Sequence, residues 1–400
     1  MSTISAGTTS TTALVSTGDT TGNLVLATGS TPTTALTLNS TTQAATFAGA
    51  VTAPSVTTTG TINTTNTFGF KNRIINGGMV IDQRYGGTST SSANNYVLDR
   101  WLGYNSQATK FTIQQNAGSV TPAVGFTNYL GCTSSSAYSI TSTDYFAVIQ
   151  PIEGLNVSDL AWGTANAKTV TLSAWVYSSL TGTFGGSLSN SATNRSYPFS
   201  YSIPVANTWT QISVTIAGDT SGTWLKTNGV GIYVTFGLGV GSTLSNTAGA
   251  WAAGTYWSAT GATSVVGTNG ATFYITGVQF EVGSQATSFD FRDYGRELAL
   301  CYRYYESETG SAYSSASNGG FGNSYAGSYY FKVQKRTTPT VTIYSGAALT
   351  GTAGSAIWYP GSTVATATLT TTSVSLFSIQ QSGTSTYNLV SYSYSASAEL

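Results

Sequence analysis

Two aspartates and two arginines lie close together early in the chain and are the charged residues best placed to do chemistry. Asp82 and Arg84 are separated by one residue, and Asp99 and Arg100 are adjacent, in a sequence with only 14 acidic and 14 basic residues. A pair of carboxylates is what glycoside hydrolysis needs. Arginines this close would pair with the acids and lower their pKa values, which removes the general acid. We therefore expect a structural ion network and not an active site.

Other catalytic arrangements also lack their residues. The sequence has no histidine, which excludes Ser-His-Asp and Cys-His chemistry and leaves no Cys/His cluster for a metal. Cys132 and Cys301 are far apart and are expected to be buried free thiols. The glycines of Val234–Ser242 have no helix behind them, so we do not expect a nucleotide site. Asp219 could hold a cation, but a plain turn is the expected structure there. We predict a protein that is not an enzyme and has no cofactor.

Aromatic residues in polar loops favour binding over catalysis. Flat rings contact the apolar faces of sugars, while Asn, Ser, Gln and Asp bond to the hydroxyls. Each of these rings could instead pack in a core or between chains, and we expect Trp257 and Trp175 to do so. The candidate glycan-binding residues are Tyr325, Tyr329, Tyr330, Trp358 and Tyr359 in the C-terminal part, and Trp251 and Tyr256 within Gly249–Ser258.

The overall composition excludes several classes of partner. The formal net charge is zero and only 7% of residues are charged, so there is no basic patch for nucleic acid. The sequence has no run of 18 or more apolar residues, so we expect no membrane insertion. The N-terminus lacks the pattern of a signal peptide. Small polar residues, β-branched residues and aromatics are typical of sheets. We therefore predict an all-β protein.

Residues 1–69 are of low complexity, with short alternating runs such as Leu24–Leu26 and Ala35–Leu38. Such a segment cannot bury enough apolar surface on its own to offset its ordering entropy. It is either a flexible linker or a segment that shares a core with identical neighbours. The alternating apolar runs favour the second alternative.

Residues from Lys110 to Val282 follow the pattern of successive strands separated by Gly, Asn, Asp or Ser. In the last of them the apolar parity changes at Gly277, which predicts a bulge there. After it, apolar positions at helical spacing predict the only convincing helix, with Asp290 or Asp293 as its N-cap. A second small β-module should follow, with a Gly-rich loop at Ser317–Phe331 and strands at Phe331–Val333, Val341–Tyr344, Thr372–Ile379 and Asn388–Ala398.

Three stretches carry a family resemblance. GVQFEVGSQATSFDFRDYGRELALCYRYY resembles the segment that joins the jelly-roll and tip domains of bacteriophage tail fibre proteins, with mild departures at Phe280, Ser288, Asp290 and Tyr302. KNRIINGGMVI, with DQR and YVLDRW after it, resembles the start of the same jelly roll. NLVSYSYSASAEL resembles the last strand of the tip domain.

The resemblance implies a trimeric tail fibre of all-β fold. Its parts would be a virion-attachment and shaft segment (1–69), a jelly-roll sandwich like a carbohydrate-binding module (70–295), a linking helix (296–306) and a small β-sandwich tip (307–400). It would reside in the virion after synthesis in the host cytoplasm. Residues 1–69 would bind a tail or baseplate protein, and the tip would bind a host polysaccharide or lipopolysaccharide. The alternatives are a head fibre or capsid decoration protein with no receptor role and a virion-associated glycan depolymerase.

Overall fold

The structure is a computed structural model in which the chain forms two compact units. They are Met1–Asn63 and Thr64–Leu400. The described residues are 17–18, 24–28, 33–38, 45–47, 70–91, 94–308, 323–345, 349, 353–359, 364–383 and 389–400. No helix within these ranges is long and apolar enough to cross a membrane.

The first unit contains a four-stranded antiparallel sheet in which consecutive strands pair. The alternating runs expected at Leu24–Leu26 and Ala35–Leu38 lie in two neighbouring strands, and Leu24 pairs with Leu38. Leu38 is 37% exposed. The identical neighbours that would cover this sheet stay a prediction. The strands are β1 (Thr17–Gly18), β2 (Leu24–Thr28), β3 (Thr33–Leu38) and β4 (Ala45–Phe47).

The body of the second unit is a two-sheet β-sandwich, so the all-β fold class is confirmed. One sheet has five strands, in the order β13-β10-β18-β8-β7, and the other has seven, in the order β16-β12-β11-β14-β9-β6-β5. A short parallel pair, β15 and β17, forms a separate two-stranded sheet, and Ser258 of β17 packs over Gly185 of the seven-stranded sheet. The strands are β5 (Asn95–Leu98), β6 (Trp101–Asn105), β7 (Phe111–Gln115), β8 (Leu130–Ser134), β9 (Tyr145–Glu153), β10 (Val170–Ser178), β11 (Gly182–Ser189), β12 (Arg195–Ile203), β13 (Thr210–Ile216), β14 (Val230–Val240), β15 (Ser245–Asn246), β16 (Ala252–Ala253), β17 (Ser258–Ala259) and β18 (Thr272–Val282).

The core of the body lies between the two sheets and follows the predicted alternation. Phe146, Val148 and Ile152 of β9 face inward, as do Leu172 and Val176 of β10. Short 3-10 turns connect the strands at Ala117–Ser119, Gly154–Asn156, Ser158–Leu160 and Ser242–Leu244.

The bulge predicted at Gly277 is present and is tightly packed. The register of β18 against β10 shifts between Gln279 and Thr276, which leaves two residues of β18 opposite one residue of β10. Gly277 has φ +60°, and a Cβ built on it would lie 2.5 Å from Cζ of Phe126. Glycine is therefore required twice, by the left-handed backbone and by the ring above it.

The segment that precedes the first strand of the body is irregular but buried. Side-chain amides replace the missing backbone partners: Asn72 Oδ1 accepts from the N–H groups of Ile74 (3.0 Å) and Phe280 (3.1 Å). Gln150 bonds to both backbone groups of Ile75, at 2.9 and 2.8 Å. This segment is thereby fixed to both sheets.

The linking helix α1 covers Tyr294–Tyr302, not the expected 296–306. Of the two expected caps, Asp293 is the N-cap, and its side chain accepts from the backbone N–H of Arg296 at 2.9 Å. The helix ends early because Tyr305 already pairs with Ser397 in the sheet of the tip. Tyr302 and Tyr305 have helical spacing in the sequence, but Tyr302 ends the helix and Tyr305 begins a strand.

The tip consists of two groups of strands that share β25. The strand β25 pairs with β19 and β21 at its C-terminal end and with β22 at its N-terminal end. Phe377 and Tyr394 are central to its core. Residues 323–330 were expected in a loop but form a strand, and the strand expected at Phe331–Val333 is absent from the described residues. The single strand expected at Thr372–Ile379 is wrong, because one strand ends at Thr372 and the next begins at Leu376. The strands are β19 (Tyr305–Glu308), β20 (Asn323–Tyr330), β21 (Thr340–Ser345), β22 (Ser355–Tyr359), β23 (Val364–Thr372), β24 (Leu376–Gly383) and β25 (Leu389–Ser397).

Replacing Gly277 by alanine should destabilise the body more than the same change at an uncrowded glycine. Gly261→Ala is the matched control, because Gly261 has φ +78° and nothing lies within 4 Å of an added Cβ. Both variants carry the left-handed backbone cost of roughly 1–2 kcal/mol, and Gly277→Ala adds the overlap with Phe126, about 1–3 kcal/mol. Urea unfolding measures the difference. Equal losses in the two variants would contradict the packing of Phe126 over Gly277.

Candidate functional site

The aromatic residues predicted for the tip lie on two separate strands. Tyr325, Tyr329 and Tyr330 are on β20, and Trp358 and Tyr359 are on β22, with β23 and β24 between them. Tyr329 packs in the tip core, 4.7 Å from the ring of Tyr394 and 5.5 Å from that of Phe377. Tyr330 is 71% exposed. The side chains of Tyr325, Trp358 and Tyr359 lie outside the described residues.

The two candidates in the body are held by packing. Trp251 contacts Trp162 and Trp224, both at 5.3 Å between ring centroids, and its indole N–H donates to the carbonyl of Ala217 at 2.8 Å. Tyr256 is half-buried, with its ring against Gly254. These contacts favour a structural role for Trp251.

Another candidate surface, here named the tyrosine face, is the outer side of the seven-stranded sheet around Tyr104, Tyr145, Tyr233 and Trp257. The rings of Tyr104 and Tyr145 stack with centroids 4.5 Å apart and planes inclined by 20°. Trp257 lies 5.5 Å from Tyr104. The three tyrosines are only partly buried. Parallel, half-exposed rings of this kind can contact the apolar face of a ligand.

Strand alternation places these rings. Phe146 and Val148 of β9 face the core, so Tyr145 and Ala147 face outward, and Tyr104 of β6 is the register partner of Ala147. Tyr233 of β14 faces outward because Val234 next to it is in the core. This parity was readable in the sequence, and it was the signal that could have identified Tyr104 and Tyr145. Both residues were missed because binding residues were expected in loops, and these two lie on strands.

Hydroxyl groups lie on the same side of the sheet as the tyrosines. The side-chain hydroxyls of Ser187, Ser189 and Thr235 are buried and have no hydrogen-bond partner among the described residues. Ser187 pairs with Thr235 in the register of β11 and β14, and Tyr233 pairs with Ser189. Ser258 covers this part of the sheet, since a Cβ on Gly185 would lie 2.4 Å from its Oγ. Buried water is the usual partner of such hydroxyls.

The ionisation of the tyrosine face is fixed by burial and by one aspartate. Burial and the hydrogen bond with Tyr145 raise the pKa of Tyr104 to about 12, so its ring is neutral at physiological pH. Burial would raise the pKa of Asp144, but hydrogen bonds from Thr141, Ser106 and Tyr138 outweigh it and hold that pKa well below its usual range. Ser106 links this carboxylate to the backbone N–H of Tyr145 at 3.2 Å. The rings of the face are therefore uncharged, and the carboxylate of Asp144 lies at its edge, bonded through Ser106 to the backbone of Tyr145.

The four charged residues expected to form one network do not pair with one another. Asp82 caps a turn, accepting from the N–H groups of Tyr85 (2.9 Å) and Gly87 (2.6 Å). Arg84 and Arg100 both pair with Glu399, a partner that was not expected from the sequence. Asp99 accepts from the backbone and side chain of Gln83, at 2.8 and 2.6 Å.

The pKa of Asp99 was expected to be lowered, and this was wrong. Desolvation by burial raises it to about 7, more than the hydrogen bonds from Gln83 and the field of Arg84 lower it. Burial lowers the pKa of Arg100, but Glu399 reverses the sign and the net shift is upward. A carboxyl that titrates near neutrality is a candidate general acid. Asp99 has no exposed surface, so it cannot meet a substrate in this structure.

A metal site is not formed by the described residues. They contain no cluster of three or more cysteine, aspartate or glutamate side chains that could hold an ion. Asp219, considered for a cation, accepts from Nε and Nη2 of Arg195, both at 2.7 Å. Both of its carboxylate oxygens thus already bond to a cationic side chain. The thiols of Cys132 and Cys301 are buried and free, as predicted.

Comparison with known proteins gives only distant likenesses. No protein-family model matches the chain, and no curated protein matches it. The chain is similar to the enzymatically active domain of tailspike protein 4 of bacteriophage CBA120, at 13% identity and a TM-score of 0.30, over 53% of this chain and 21% of that one.

Two carbohydrate-binding domains are similar at the same level. One is the family 11 carbohydrate-binding module of Clostridium thermocellum, at 10% identity and a TM-score of 0.26, over 50% of this chain and 98% of that one. The other is the N-terminal cellulose-binding domain of β-1,4-glucanase C of Cellulomonas fimi, at 13% identity and a TM-score of 0.22, over 51% of this chain and 99% of that one. These likenesses are too distant to assign a function to this chain.

The raised pKa of Asp99 predicts that this residue destabilises the folded protein as the pH rises. Below about pH 4 Asp99 is protonated in both states; between pH 4 and 7 only the unfolded chain loses the proton. The penalty grows to about 4 kcal/mol at pH 7. The free energy of unfolding of Asp99→Asn, minus that of the original protein, should therefore rise by about this amount from pH 4 to pH 8. Parallel pH profiles in urea unfolding would contradict the assignment.

Proposed function

We propose that this chain is an adsorption protein of a bacteriophage particle, a trimeric tail fibre that binds a glycan on the surface of the host cell. The sequence resemblance to tail fibres supports the phage part of the proposal. The two longest stretches of that resemblance meet in the structure, where Gln83 donates to the carbonyl of Tyr305 at 3.2 Å. This contact supports the proposal that the later of the two stretches links the body to the tip.

The tyrosine face is the observation that carries the glycan part. Sugars present apolar C–H faces, and the stacked rings of Tyr104 and Tyr145 offer a neutral apolar platform for such a face. A charged ligand would find no counter-ion on this platform. A neutral polysaccharide is therefore the ligand class that the face fits best.

The tip remains the second proposed contact, as the resemblance implies. Tyr330 is its exposed aromatic residue among the described side chains, and Leu369, 37% exposed, is on the same group of strands. Residues 1–69 would attach the fibre to a tail or baseplate protein. Several copies per particle would then convert weak single contacts into firm attachment.

The proposal includes the absence of catalysis. In a depolymerase, one carboxyl with a raised pKa works beside a second carboxylate and against a bound sugar. Asp99, the carboxyl whose pKa is raised, is buried and bonded to Gln83, so it is closed to a substrate. A head fibre or decoration protein would use the same sandwich to bind the capsid, and it would not decorate cells. Release of reducing sugar from host polysaccharide would favour the depolymerase.

Removing the two stacked rings should abolish most binding to cells. Fluorescently labelled protein carrying Tyr104→Ala and Tyr145→Ala should bind susceptible cells and their extracted polysaccharide about tenfold more weakly or worse, a loss of about 1.4 kcal/mol or more. Tyr177→Ala is the matched control, because Tyr177 stacks on Tyr274 at 5.2 Å on the five-stranded sheet. Unchanged binding in the double variant, or an equal loss in the control, would contradict the role of the tyrosine face.

A further inference from the structure

A pocket of about 200 Å³ lies on the body, and no residue of the tyrosine face lines it. Three phenylalanines, Phe126, Phe289 and Phe291, form one side of it, and we name it the Phe pocket. It adjoins β18 of the five-stranded sheet, because Phe126 covers the bulge at Gly277. Its volume is below the roughly 300–1,000 Å³ of pockets for drug-sized ligands. It has room for one small ring.

The apolar wall is preformed. The ring centroids of Phe126 and Phe289 are 5.0 Å apart, those of Phe126 and Phe291 are 5.3 Å apart, and those of Phe289 and Phe291 are 4.8 Å apart. Each ring supports the other two, yet Phe291 is 64% exposed. An exposed aromatic ring fixed by its neighbours is ready to contact a ligand at little entropic cost.

The polar side of the pocket has one carboxylate with unused capacity. The side chain of Asp290 is 30% exposed, and among the described residues its carboxylate accepts one long hydrogen bond, 3.4 Å from the backbone N–H of Asn72. Its nearest cation is Nε of Arg292 at 3.9 Å. A carboxylate can accept about four hydrogen bonds, so Asp290 can still accept from a ligand.

The other charges in the pocket already pair with each other. Arg292 donates to the carbonyls of Ile74 and Asn72 and to Glu297. Glu297 also accepts from the backbone N–H of Asn76. An anionic ligand would meet two carboxylates beside an arginine that already donates to Ile74, Asn72 and Glu297. A cationic ligand would meet Arg292 next to Asp290. The pocket therefore fits a neutral ligand.

We propose that the Phe pocket binds a single neutral sugar ring, which contacts the phenylalanine wall through its C–H face and donates its hydroxyls to Asp290. An apolar wall beside a free acceptor is the combination that such a ring needs. This site adds a further position to the proposed glycan binding, beside β18 of the five-stranded sheet. The inference rests on the proposed function for its class of ligand, a glycan. The two sites are separate, because no residue of the tyrosine face lines the pocket.

Titration of the full chain with single sugars tests the proposal. The probes are glucose, galactose, mannose, rhamnose and N-acetylglucosamine, each followed by saturation-transfer NMR. At least one should bind with a Kd below about 10 mM. Phe291→Ala and Asp290→Asn should each raise that Kd about tenfold, because one removes the ring contact and the other the charged acceptor.

Two controls keep the result specific to this pocket. Val205→Ala removes an exposed apolar side chain elsewhere in the body, from a residue that is 56% exposed, and should leave the Kd unchanged. Tyr177→Ala, which removes a stacked ring that lines neither the pocket nor the tyrosine face, should also leave it unchanged. The proposal is overturned if no probe binds, or if either pocket variant changes the Kd less than about threefold. Cell binding by the double variant Tyr104→Ala and Tyr145→Ala tests the tyrosine face, and the sugar titrations of Phe291→Ala and Asp290→Asn test the pocket. Either proposal can therefore fail alone.

Discussion

Buried charge that must stay paired is the constraint on which the joint of body and tip depends. Glu153 of β9 accepts two hydrogen bonds from Arg303, at 2.6 and 2.9 Å, and one from the hydroxyl of Tyr304 at 2.6 Å. Glu399 pairs with Arg84 and Arg100. Breaking one such buried pair costs about 3–5 kcal/mol, because the remaining charge is left without a partner. Body and tip therefore stabilise each other.

The last residues of the chain close this joint through their backbone. Arg336 of the tip donates to the carbonyls of Ala398 and Glu399 and to that of Asn228 in the body. Leu400 packs against the apolar cluster that contains Cys301. A joint with so many directional contacts holds the tip in one orientation on the body. Binding surfaces on both can then act together, as proposed for a particle with several fibres.

The sequence predicted the features that depend on neighbouring residues. The strands of the body and the bulge at Gly277 followed from alternation and parity, and capping chemistry narrowed the N-cap to Asp290 or Asp293, of which the structure has Asp293. Features that depend on distant residues were missed. Nothing local indicates that Glu399 meets Arg100, or that burial raises the pKa of Asp99 to about 7. Tyr305 ended the helix early because it pairs with Ser397, which local periodicity cannot show.

Hydrogen exchange measured by mass spectrometry tests the coupling of body and tip most directly. The amides of β9 in the body and of β25 in the tip should open together in the intact chain, with the same free energy of opening. Deletion of residues 398–400 should lower the protection of both strands, because it removes Glu399 and leaves the buried Arg100 of the body without its partner. Independent opening of the two strands in the intact chain, or no effect of the deletion, would contradict a joint held by the C-terminal residues.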